Sequence, residues 1–163
     1  MIKDLSKPEC MGKEKSLANI SSNSLDRVSK QIFIVAKILS KKQKKKSKKR
    51  TPDVILDPKG IIKITGQSIP ENAVHFFDPI LEWIDEYICN PADMTYIDIN
   101  LDYINGFSSK FLLTILRKIS YVQLKGKKFK INWYYKDDDE DMCEKGTYFS
   151  SVSDIPINFI KIV

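Results

Sequence analysis

Two adjacent serines, Ser108 and Ser109, stand where a strand-like run gives way to a helical one, and their hydroxyls are the side chains best placed for chemistry. Tyr96, Asp98, Asn100 and Asp102 alternate with Ile97, Ile99, Leu101 and Tyr103, the period of a strand with one buried face. Asn105, Gly106, Phe107, Ser108 and Ser109 then interrupt the alternation with turn formers and hydroxyls. Apolar residues resume at helical spacing from Lys110 to Arg117. A serine pair at such a helix start is expected to be exposed and held in place, and the backbone N–H groups there favour an added phosphate. That combination predicts a phosphorylation switch. The plainer reading is that one serine only caps the helix.

Other reactive groups are sparse. His75 is the single histidine, and its neighbours Phe76 and Phe77 favour a helix-surface or half-buried imidazole over a catalytic one. No glycine-rich phosphate loop, dinucleotide fingerprint or nucleophile motif is present, so the residues themselves argue against an enzyme and call for no cofactor. Asp137, Asp138, Asp139, Glu140 and Asp141 form an acidic run that could attract a divalent cation. A calcium loop, however, alternates its ligands around a central glycine and closes with a distant glutamate, which this run lacks. A docking surface for a basic partner suits it better, and the acids also suit the dipole of a helix starting there. Trp83 and Trp133 are expected in the core by size. Tyr134, opposite Trp133 and Tyr135 in a strand, can reach a surface and serve as an interface anchor.

The elements that would position these groups begin at Thr51. Val54 to Leu56 and Ile61 to Thr65 read as a hairpin joined by Asp57-Pro58-Lys59-Gly60. A helix follows from Ser68-Ile-Pro-Glu71, capped by Ser68 or Asn72, with Phe76, Phe77, Ile80, Leu81, Ile84 and Ile88 on its buried side and Pro79 as a kink or restart. After the strand and helix around the serines, which should end near Gly126, come a strand over Lys128 to Tyr135, a short helix, and a terminal strand over Phe159 to Val163. Strands separated by helices imply crossover connections and a mixed or largely parallel sheet. The expectation is a single α/β domain with about five strands and helices mainly on one face. That organisation resembles the STAS domain of anti-sigma factor antagonists, in which a phosphorylatable serine also starts the helix after a central strand.

Charge divides the chain at residue 50. Residues 1–50 carry 15 basic and 4 acidic side chains and residues 51–163 carry 12 and 17, so the overall net charge of +6 belongs to the first segment. Residues 1–23 are weakly apolar and without periodicity, which predicts no fixed structure. Leu25, Val28, Ile32, Val35 and Leu39 step as an amphipathic helix over 24–39, and eight basic residues in ten follow from Lys41 to Arg50. Such a tail is either a solvated linker or a contact for an acidic membrane surface or nucleic acid. Cys10, Cys89 and Cys143 have no paired spacing and read as reduced thiols; with no targeting segment in evidence, a cytoplasmic location is expected.

Several blocks together resemble the SiaC family of bacterial regulatory phosphoproteins. They are Thr51 to Pro58, Gly66 to Ala73, Phe76 to Trp83, Leu101 to Asn105, Ser108 to Lys110, Trp133 to Tyr135 and Asp138 to Met142, spanning essentially all of residues 51–163. The resemblance implies a non-enzymatic protein, phosphorylated by a cognate kinase and dephosphorylated by a PP2C-type phosphatase. Its unphosphorylated form would bind a diguanylate cyclase and promote cyclic di-GMP synthesis, and with it biofilm or aggregation. No small-molecule substrate is implied. The family loop reads Tyr-x-Asn-Thr-Ser-Ser-x-Lys, with the threonine as acceptor. With Asn105 and Lys110 aligned, Gly106 takes the place of that threonine and Phe107 that of the next serine, leaving Ser108 and Ser109 as candidate acceptors. Asn105, Gly106, Phe107 and Lys110 would then form the switch loop that partners touch.

Overall fold

The computed structural model describes residues 42–46 and 50–163. The helix expected over 24–39 lies outside the described residues. Six strands form one mixed sheet in sequential order: β1 (Gln43–Lys45), β2 (Asp53–Asp57), β3 (Ile61–Ser68), β4 (Met94–Ile104), β5 (Lys128–Lys136) and β6 (Ile157–Ile162). The β1/β2 and β2/β3 pairs are antiparallel, whereas β3 through β6 run parallel. The parallel pairs require the crossovers that α1 (Ala73–Tyr87), α2 (Gly106–Ser120) and α3 (Glu140–Ser153) supply.

One face of the sheet builds the core. Val54 and Leu56, Ile62 and Ile64, Ile97 to Leu101 in alternation, and Ile131 and Trp133 are buried beneath helix residues including Phe77, Ile80, Ile84, Leu112, Ile115, Leu116, Met142 and Phe149. The opposite face is polar, and there Lys63, Asp98, Asn132 and Asn158 sit in register and link side chain to side chain across β3 to β6, at 3.3, 2.8 and 3.1 Å. Burying apolar groups on one side only explains why the strands alternate so clearly in sequence.

Several local expectations need correction. The sheet has a sixth strand because part of the basic run expected as a solvated linker pairs with β2. Lys42 forms an ion pair with Asp57 at 3.0 Å, and Lys45 Nζ donates to the Phe76 carbonyl at 3.0 Å, so partners on the folded body anchor this edge. The helix after β3 starts at Ala73, capped by Asn72, whose side chain accepts from His75 N at 3.0 Å; Ser68 instead ends β3. This helix runs from Ala73 to Tyr87 through Pro79 without a restart. It buries Trp83 and Tyr87, stacked at 5.1 Å, and the Tyr87 hydroxyl bonds Thr95 Oγ1 at 2.7 Å. The short helix expected after the acidic run is the 14-residue α3. Cys143 is free, as expected, and Cys10 lies outside the described residues.

Candidate functional site

The junction between β4 and α2 forms where two local preferences compete. Asn105 and the serines are all good helix caps. Asn105 prevails: β4 runs straight into it, its N–H donates to Ser68 O at 3.2 Å, and its Oδ1 accepts from Ser108 N at 2.8 Å. The helix therefore begins at Gly106, and the expected loop 106–109 is the first turn of α2.

That shift of the helix start redistributes the candidate residues. Ser108 lies on the buried side of α2 with 0% exposure, and its Oγ has no hydrogen-bond partner among the described residues, so the expectation of an exposed Ser108 is corrected. Ser109 is half-buried, and its Oγ donates to the Asn105 carbonyl at 2.9 Å. Gly106 and Lys110 are exposed, and Phe107 is 69% exposed with Lys110 Nζ 5.8 Å from its ring centroid. An aromatic ring left in water beside a cation can anchor a partner through both apolar burial and cation–π contact.

A second such pair adjoins the first. Tyr103 is exposed, Lys145 Nζ lies 5.1 Å from its ring centroid, and the same ammonium stands 3.5 Å from Ile104 O. The expectation that Tyr103 lies with Ile97, Ile99 and Leu101 on the buried face is corrected, and Lys145 carries no signal of its own in the sequence. The sheet register explains the change: Gly66 pairs with Leu101 but Gln67 pairs with Tyr103, so Asp102 is passed over and Tyr103 leaves the simple alternation. Two adjacent exposed residues, Asp102 and Tyr103, are the visible trace of this irregularity.

The acidic run follows β5 at the same end of the parallel strands, where Lys136 Nζ pairs with Asp102 at 2.8 Å, and much of it has structural employment. Asp137 pairs with Lys161, holding that ammonium's pKa above its ordinary value first through the hydrogen bond and then through charge. Asp139 caps α3 by accepting from Met142 N at 3.1 Å, and Glu140 and Asp141 occupy the first turn, where negative charge suits the helix dipole. Asp138 is exposed and Tyr134 is half-buried on the polar face of the sheet. No cluster of three or more His, Cys, Asp or Glu side chains able to hold a metal occurs among the described residues. His75 is exposed on the first turn of α1, away from the serine pair in the chain and in a different helix.

The SiaC family model, that of a regulatory phosphoprotein, matches residues 45–162. The chain belongs to the SiaC family. The match includes the last residue of β1. An uncharacterized protein of Pseudomonas aeruginosa (strain UCBPP-PA14) is 24% identical over 97 residues, covering 60% of this chain and 77% of that protein. Two crystal structures share the fold. SiaC from Pseudomonas aeruginosa, solved in complex with the diguanylate cyclase SiaD that it activates, has a TM-score of 0.66 at 22% identity, over 73% of this chain and 97% of that one. Apo-SiaC from the same organism has a TM-score of 0.65 at 22% identity, over 76% and 99%. No helix among the described residues is long and apolar enough to cross a membrane.

Proposed function

We propose that this protein is a non-enzymatic regulator that binds and controls a diguanylate cyclase, with the first turn of α2 as its contact surface. The observation that carries this reading is Phe107, an exposed ring at the start of α2, in a chain that shares its fold with a cyclase activator. Such a regulator acts by contact, in the cytoplasm, within cyclic di-GMP signalling that governs biofilm or aggregation.

In the full partner switch, a cognate kinase and a PP2C-type phosphatase would act on the same turn. Partial exposure supports Ser109 over the buried Ser108 as acceptor. A phosphate there would bring about −1.5 to −2 charges beside Phe107, favoured locally by the helix terminus and opposed wherever a partner must cover it. The fold would survive and cyclase binding would weaken.

A second reading has its own support. With Gly106 offering no hydroxyl, Ser108 buried and the Ser109 hydroxyl engaged with Asn105 O, the turn suits a constitutive contact without a phosphorylation cycle. Acidic Asp137 to Asp141 and Tyr134 would then be an additional docking surface, and the basic tail an accessory contact for acidic membrane or nucleic acid. Intact-mass spectra of the protein produced beside its cognate kinase separate the two. A gain of about 80 Da, a single phosphoryl group, that maps to Ser109 supports the switch. Unmodified protein that still captures the cyclase supports the constitutive module.

A further inference from the structure

The edge where β1 meets α1 encloses a second candidate site. A cavity of about 630 Å³ lies there, lined by Lys45, Lys46 and Arg50 on the basic side and by Pro70, His75 and Phe76 on the other. Its volume falls within the roughly 300–1,000 Å³ typical of small-molecule sites and far exceeds what one inorganic phosphate requires.

Its charge is poorly compensated. Glu71 is the carboxylate in the lining, but it stands 3.8 Å from Arg50 with its own side chain 86% exposed, and the first turn of α1 adds no acid. Lys45 is half-buried and makes no ion pair among the described residues. Its ammonium is held by the Phe76 carbonyl at 3.0 Å and lies 4.8 Å from the Phe76 ring centroid. Burial pushes the Lys45 pKa down, as it does for a cation taken from water without a counter-ion. An anion entering the cavity would relieve that cost. Arg50 offers a planar fork suited to phosphate oxygens, and Lys46 a point charge. The half-buried Phe76 ring and the exposed His75 imidazole supply flat surfaces beside them.

We propose that this cavity binds a free nucleotide, with the phosphates among Lys45, Lys46 and Arg50 and the heterocycle against the Phe76 and His75 rings. The proposal stands apart from the cyclase reading, because the titration that tests it uses this chain alone.

The test is calorimetric titration of the full chain with GTP, cyclic di-GMP, pyrophosphate and a single-stranded oligonucleotide at fixed salt. Lys46 is exposed and the Arg50 side chain 62% exposed, so Lys46→Ala/Arg50→Ala should remain folded, which circular dichroism verifies. We expect at least one of the two nucleotides to bind saturably, at least tenfold more tightly than pyrophosphate. The double variant should weaken that binding at least tenfold, Arg50→Lys should retain part of it, and Lys128→Ala/Lys130→Ala, exposed on β5, should leave it unchanged. Failure of both nucleotides to saturate, or unchanged affinity in the double variant, overturns the site. Pyrophosphate binding as tightly overturns the role of the rings. An oligonucleotide that outcompetes both nucleotides and is weakened equally by the β5 lysine variant shows diffuse polyanion binding and also overturns it.

Discussion

Phe107 and Ser108 are neighbours with opposite fates, and each carries a test. Phe107 contributes little to the core, so Phe107→Ala should leave the thermal midpoint unchanged. It should weaken cyclase binding by about 2 kcal/mol, the scale of an aromatic interface anchor, as read by surface plasmon resonance. Ser108 has the reverse profile. Its buried Oγ is unpartnered, so Ser108→Ala should change stability by no more than about 0.5 kcal/mol, because no protein hydrogen bond is lost. Ser108→Asp would place an uncompensated charge in the core and cost about 3 kcal/mol or more in urea denaturation. The residues of this turn were legible in the sequence as a helix start, but their exposure was not. Choosing between Asn105 and a serine as cap rotates the turn, and local propensity alone does not decide between good caps. Tyr103 leaves the buried face that alternation assigns to it for a different reason, since a register irregularity is a property of two strands together.

At the level of elements, alternation and helical spacing located β2 to β5, α1 and α2, because each buries one face against a shared core. The same signal is weak for α3, which presents Met142, Gly146 and Phe149 inward among many polar residues. Its docking depends on a close approach: a Cβ added at Gly146 would meet Phe159 Cε1 at 2.6 Å and the Trp133 indole at 2.9 Å. Trp133 is buried and its Nε1 donates to Met142 O at 2.8 Å, so it cannot yield without loss. We predict that Gly146→Ala destabilises by about 1–3 kcal/mol through overpacking, measured by urea denaturation. The turn between β2 and β3 is stricter still. Gly60 has φ +92°, and an added Cβ would sit 2.3 Å from the Met94 carbonyl oxygen. Here the sequence signal, Pro58 to Gly60, identified the turn. β1 remained hidden because three residues of a lysine-rich run carry no apolar periodicity, and their pairing is set by the exposed edge of β2.

For the molecule as a whole, the basic run is tied to the acidic domain through Asp57 at its β1 end. The Lys59 N–H hydrogen bond, then Lys42, hold the Asp57 carboxyl below its ordinary pKa. A carboxylate depressed in the folded state stabilises fully above its unfolded pKa of about 3.9, and that contribution is lost as pH falls through the folded value. Wild type should therefore lose more stability than Asp57→Asn between about pH 5 and pH 2, as followed by urea midpoints across that range. The proposed contact surface belongs to the other end of the parallel strands, where β4 enters α2. The measurement that bears most directly on function is cyclic di-GMP formation by the diguanylate cyclase of the same cell, with and without this protein. We predict that added protein changes the rate at least severalfold and forms a complex by size exclusion, and that folded Phe107→Glu does neither. A cyclase whose rate and elution are unaffected by the folded wild-type protein would contradict the proposed function.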